Sequence, residues 1–482
     1  MKKQIIAAVA LLFVGTTSVV AQSNEDINSV LQFNFSNPGA RSLGMGGAFT
    51  ARADDATAVY ANPAGLIQLS RPEIAADGRG WGYHNRFLAG GIQQDPASLA
   101  GLNYAESDDS VEGLSFLSGF YPSKSGRWTA GIFRHQAINF ETALATIDST
   151  VFTPTGTGFA RPRDGYLDLE LDTTGFAFAA RLNKTLSVGV TVTEWDFFLD
   201  SRLELYDSPR DQEFGDPIFN TFSLDAPYPG LTEGDPDVCC EFGNRGDIIR
   251  FRTQQGKGSD RSLSVGLFWQ SQKTRAGVPW ITLGGVYRAG PTFRFEGRSL
   301  IRGLVPSVTL PTTRVYQPAI ADATGFFKIP DVWSMGASVR PSANWVWSLD
   351  WTRVEYTDLT DRFLDIAARD SGIPDGQVGR PVDYRLQDGD EIRLGVEYAA
   401  GTQSRRSPIF IRGGLWHDPN HEIEYVGPDP SQRALFSPGS DELHASFGVG
   451  LKWRDIQFDV AYDYSPRIET LSFSTVWYFG RN

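Results

Sequence analysis

Beyond residue 21 the chain lacks any run of the roughly eighteen apolar residues that a membrane-spanning helix requires. Cysteine is nearly absent. The two that occur, Cys239 and Cys240, are adjacent in an acidic stretch, so a C-x-x-C metal or redox signature is excluded. Basic residues are in deficit, with 44 Lys and Arg against 57 Asp and Glu. No basic stripe stands out, and nucleic acid is not expected as a partner. Histidine is scarce as well. His417 and His421 stand four apart, but Pro419 breaks any helix that would align them, so no metal site is expected. No Ser/His/Asp constellation appears in a recognisable context, which argues against an enzyme, and nothing calls for a cofactor.

The chain opens with an export signal. Lys2 and Lys3 precede the apolar run Ile5–Val14, and Val19 and Ala21 occupy the −3 and −1 positions of a cleavage site. Cleavage after Ala21 removes two lysines, leaving 42 basic against 57 acidic residues, a formal charge of −15. With no spanning helix left, membrane residence requires a closed barrel, the other fold that satisfies every backbone group in lipid.

Strand signals recur along the chain as period-two alternation. Leu186, Val188, Val190 and Val192 alternate with Ser187, Gly189, Thr191 and Thr193. Leu443, Ala445, Phe447, Val449, Leu451 and Trp453 alternate with small or charged residues. About fourteen such segments begin near residues 72, 112, 127, 166, 186, 262, 278, 329, 344, 390, 407, 442, 456 and 467. Trp128, Trp280, Trp333, Trp345, Trp453 and Trp477 lie near strand ends, as in an interfacial girdle. Connections such as Pro122–Arg127, Asn183–Thr185 and Arg340–Asn344 are short. They alternate with long ones at Asn85–Val111, Ala143–Gly165, Asp207–Gly246, Glu296–Phe326, Thr357–Gly389 and Asn420–Asp441. Only the last hairpin, at Ser465–Arg467, departs from this parity. Short periplasmic turns and long outer loops produce such a pattern, and a soluble sandwich has no reason to. The reading is all-β: a transmembrane antiparallel barrel over 71–482, with a signal peptide at 1–21.

Residues 22–70 do not fit the strand pattern. A glycine-rich run, Asn37 to Phe49, leads into Ala53-Asp54-Asp55-Ala56 and then Asn62-Pro63-Ala64-Gly65. This predicts a compact segment with close glycine approaches, a short helix after Asp54 and Asp55, and an Asn-Pro turn. Compact non-strand chain ahead of the first strand suits a plug inside the lumen of a fourteen-stranded wall. The ADDA and NPA motifs resemble the hatch of the FadL family of outer-membrane long-chain fatty-acid transporters. The resemblance continues in patches across the barrel, at Arg127–Thr142, Leu167–Tyr206, Ile329–Trp333, Trp345–Asp358 and Gly413–Pro419.

The resemblance implies passive uptake of a hydrophobic small molecule, a fatty acid or related hydrocarbon, by a monomer seated in outer-membrane lipid and lipopolysaccharide. Substrate would be captured by outer loops and released sideways where the third strand kinks next to the hatch. Asn62 would hold the hatch fold together. The family's kink falls at His135, Gln136, Ala137, Ile138 and Asn139, where no glycine supplies a bulge, so a regular strand and a wall opening are both open. Capture is expected at Phe219, Phe222, Leu224 and Tyr228 in one loop and at Leu304, Val308 and Leu310 in another. The alternative reading is a barrel subunit that anchors a protein partner of a secretion system, since the run Ala40–Phe49 with its ADDA and NPAGL motifs also resembles the start of such barrels.

Overall fold

The computed structural model describes residues 36–153, 156–160, 162–206, 248–272, 274–275, 278–306, 314–360, 383–400 and 407–480. The signal peptide, Cys239 and Cys240, and the capture residues Phe219, Phe222, Leu224, Tyr228, Val308 and Leu310 lie outside them.

Fourteen antiparallel strands form one closed wall. They are β1 (Glu73–Ile92), β2 (Leu102–Pro122), β3 (Trp128–Ala145), β4 (Arg163–Arg181), β5 (Leu186–Tyr206), β6 (Ile248–Gln270) and β7 (Ile281–Arg288). The others are β8 (Val332–Val339), β9 (Trp345–Val354), β10 (Gly389–Ala400), β11 (Ile409–Asp418), β12 (Glu442–Trp453), β13 (Ile456–Tyr464) and β14 (Ile468–Tyr478). The seam closes between β1 and β14, from Glu73 against Tyr478 to Tyr83 against Ile468.

The wall is lopsided. Strands β1–β6 run 18 to 23 residues, whereas β7–β14 run 8 to 12. About 9–11 residues cross a bilayer, so the tall half rises well beyond it. Outward residues such as Ile132, Leu267, Met335, Phe447 and Phe473 stay exposed and form the apolar belt that faces lipid.

Several expected loops are strand instead. β1 and β2 extend through most of Asn85–Val111. Strands Thr292–Pro306 and Arg314–Lys328 pair along Glu296–Phe326 as an outer hairpin, and Leu304 sits opposite Tyr316 in that ladder rather than in a loop. A smaller hairpin, Ser149–Thr153 with Gly156–Ala160, occupies part of Ala143–Gly165. The physical reason is common to all three. Above the lipid the outward face no longer has to be apolar, so the alternation disappears while the ladder continues.

Residues 36–69 form no strand. They fold into two single-turn helices, α1 (Ala40–Leu43) and α2 (Ala58–Ala61), and a 3-10 turn at Pro63–Gln68. This segment touches every wall strand. Its groups contact Asp77, Ser118, Phe133, Arg181, Thr191, Leu267 and Thr282 on β1 to β7. They also contact Ser334, Asp350, Glu397, Gly414, Gly448, Ala461 and Ser474 on β8 to β14. Only a position inside the ring allows such a set. The wall meets it with bare backbone: Gly189, Gly266, Gly284 and Gly414 lie so close that a Cβ would collide with the segment's main chain or Asn62.

Candidate functional site: the gap beside the third strand

The Asp54–Asp55 motif acts through charge. Arg41 pairs with Asp54 at 2.9 Å, Asp55 at 3.3 Å and Glu397 at 3.1 Å. Arg52 binds Asp54 at 3.0 Å and Glu397 at 3.1 Å, and Glu397 also accepts from Arg412 at 2.8 Å. Buried ions are tolerated only when paired in this way. Asp55 also accepts from the Thr57 backbone N–H at 3.0 Å, just ahead of α2.

Asn62 is fully buried. Its Nδ2 donates to the carbonyl oxygens of Thr50 at 2.9 Å and Leu267 at 3.2 Å, while Oδ1 accepts from the Ala64 N–H at 3.1 Å. That last bond shapes the turn into Pro63-Ala64-Gly65, which carries the segment beneath β4, β5 and β6.

β2 and β3 pair only from Pro122 against Thr129 up to Phe116 against His135. Above that level β3 stays laddered to β4, with a register shift between Gln136 and Ile138 that leaves Ala137 as the extra residue. The burial pattern of β3 changes phase there: Phe133 and His135 face the lumen, then Ile138 and Phe140. This is a β-bulge made without glycine, and a bulge bends its strand. The bend carries β3 inward across β1, where Tyr83 Oη donates to the Asn139 carbonyl at 2.9 Å and Asn85 Nδ2 donates to Thr142 at 3.2 Å. Thr142 in turn donates to Asp109 of β2 at 2.6 Å. Side-chain bonds therefore stand where a ladder would be. In the gap between the two backbones Gln136 reaches toward Gly113, whose missing Cβ would lie 3.0 Å from the amide oxygen.

The N-terminal segment reaches this gap. Tyr60 of α2 lies edge-on to His135 at 4.5 Å and to Phe133 at 5.7 Å. Arg288 of β7 covers the other side of the Tyr60 ring at 4.2 Å and donates to its carbonyl at 3.1 Å. Tyr60 was not singled out in the sequence; its place at the end of a short helix gives no hint of an aromatic contact with strand residues 75 positions later.

Above the segment, the lumen side of the tall half is apolar. Trp81 and Tyr83 of β1, Ile138 and Phe140 of β3, Leu169 of β4 and Trp195 and Phe197 of β5 join one buried cluster, with Ala137 packed against it. The alternation Thr193, Trp195, Phe197, Leu199 was the available signal, with large groups pointing into the ring rather than out. The opposite wall is polar: His444 stacks on Trp416 at 3.7 Å and bonds Asp463 at 2.7 Å. At the outer edge of the cluster, His421 stacks on Tyr356 at 4.9 Å. Burial would lower its pKa, but Asp418 at 3.5 Å raises it to about 9. His417 instead faces Asp441 at 3.2 Å, so the structure does not bring these two histidines together.

The closed fourteen-stranded antiparallel wall matches solved barrels. The Pseudomonas aeruginosa FadL homologue superposes with a TM-score of 0.58 at 14% identity, covering 92% of this chain and all of that one. The chain has the FadL fold. The Pseudomonas putida toluene transporter TodX matches at 0.58 and 13% identity over 93% of this chain and 100% of its own. The CymD monoaromatic hydrocarbon channel matches at 0.54 and 16% identity over 93% of this chain and 100% of that one. No family model matches the sequence, and neither does any curated protein. With its lipid-facing belt, this FadL-type barrel is a bacterial outer-membrane β-barrel.

Proposed function

We propose that the chain is a passive outer-membrane channel for hydrophobic small molecules, with the N-terminal segment as its hatch and the gap between β2 and β3 as a lateral exit. The carrying observation is the bulge at Ala137, which ends the β2–β3 ladder next to Tyr60 and against the apolar lumen cluster. A hydrophobe entering the lumen gains by leaving water for the apolar side of the barrel, and gains again by reaching lipid, so no energy source is needed. Long-chain fatty acids or hydrocarbons fit this route, with capture at the outer loops as its first step. The FadL homologue and the toluene and hydrocarbon channels of the same fold support the reading.

Removal of the extra residue tests it. Deleting Ala137 keeps Phe133, His135, Ile138 and Phe140 in one alternation and lets β3 continue straight. Uptake of labelled toluene or oleate by cells carrying this variant should fall to the level of a strain lacking the protein. Heat-modifiable migration in SDS would check that the barrel still forms. Undiminished uptake removes the exit from Ala137; equal uptake with and without the protein, plus a stoichiometric protein partner on purification, favours the anchoring role.

A further inference from the structure

The short turns enclose a second feature that lateral passage does not use. Between the underside of the N-terminal segment and the inner faces of β7–β9 lies a cavity of about 670 Å³. Its lining includes Arg52, Arg181, Lys184 and Arg340, against a single carboxylate, Asp54, among the described residues. Asp54 is already held by Arg41 and Arg52 at 2.9 and 3.0 Å. Arg181 spends one N–H on the Ile67 carbonyl at 3.1 Å. Arg340 follows the last residue of β8, and its guanidinium has no acceptor among the described residues. Nε of Arg52 is buried and also without an acceptor. Burial and then the neighbouring Arg52 both weigh against the protonated form of Arg340, lowering its pKa. A protein gains nothing by gathering like charges around a partly enclosed space unless something of opposite sign enters it.

We infer that this cavity binds a small organic anion, a carboxylate or phosphate ester, taken from the periplasmic side. Lipid headgroups do not supply it, because Thr282 and Ser338 in the lining belong to the inner face of the wall, where Thr282 donates to Ala51 of the plug. Inorganic phosphate alone would leave most of the space to water, since pockets of roughly 300–1,000 Å³ suit ligands with a molecular body. Gln68 and Gln272 offer amides and Trp280 a ring face to that body.

Calorimetry on the purified full-length barrel in detergent tests this, with citrate and glycerol 3-phosphate as probes and glycerol as the neutral control. Saturable binding of at least one anion, and none of glycerol, is expected. Losing a charge-assisted bond in Arg340→Gln should weaken the affinity about tenfold or more. Lys184→Gln, on an exposed turn, should weaken it less. Arg127→Gln, on a different turn, should leave it unchanged. No saturable binding, or equal affinity for wild type and Arg340→Gln with both barrels heat-modifiable, would overturn the assignment. The readout is binding rather than uptake, so it stands apart from the test of the lateral exit.

Discussion

At the scale of single residues, the Asp54–Asp55 and Asn62 motifs of the N-terminal segment hold their place through shape and charge. Asn62 joins three backbone groups from two parts of the chain, Thr50 and Ala64 in the N-terminal segment and Leu267 in the wall. Asn62→Ala leaves these groups buried without their partner, at roughly 1–3 kcal/mol for each one that water cannot reach. A lower thermal midpoint and faster proteolysis within residues 36–69 are expected, with the wall strands still protected. Unchanged proteolysis would mean that water enters and replaces the amide. The motif itself was legible, since Asn-Pro and Asp-Asp ahead of a small-residue run carry local turn and capping chemistry. Its partners were not: Arg41 meets Glu397 across 356 positions, and no local pattern encodes a contact of that range.

At the scale of strands, legibility followed the solvent. Where an outward face touches lipid, alternation is enforced, and β5, β9, β10 and β12 begin within a residue of where the pattern puts them. Where the tall strands stand in water, the pattern lapses, and stretches such as Glu106–Ser110 pass for loop although they pair with β1. The bulge at Ala137 was only half legible: the family resemblance places a kink at His135–Asn139, but no glycine there decides between a bulge and a regular strand. Inward glycines were visible only as small residues on one face. Their purpose is backbone approach, so Gly414→Val should drive Gly46 away from β11. Limited proteolysis should then cut within residues 36–69 while heat-modifiability survives. A segment as resistant as in the wild type would show that the wall bends to admit the side chain.

At the scale of the whole molecule, the lumen has two unlike sides. Aromatic and aliphatic groups line the tall half beside the gap. Across from it, Arg393 holds Glu391 at 2.8 Å and Arg412 holds Asp459 at 2.6 Å. Near the gap Arg79 is occupied by Asp77 at 3.1 Å, and Arg288 by the Tyr60 carbonyl. A carboxylate headgroup finds these arginines already partnered and gains little from them, whereas a neutral molecule only has to leave water. Toluene should therefore accumulate faster through this barrel than benzoate at neutral pH, in cells or in liposomes; a faster benzoate flux would contradict this.

The N-terminal segment that touches all fourteen strands also acts as a gauge. Ala64 presses on Gly189 on one side and Gly46 presses on Gly414 on the other, main chain against main chain. Ring diameter grows with strand number. A wall two strands smaller would have no room for this segment, and one two strands larger would let it rattle loose. The width of residues 36–69 and the number of strands around them are therefore one specification, written twice in the same chain.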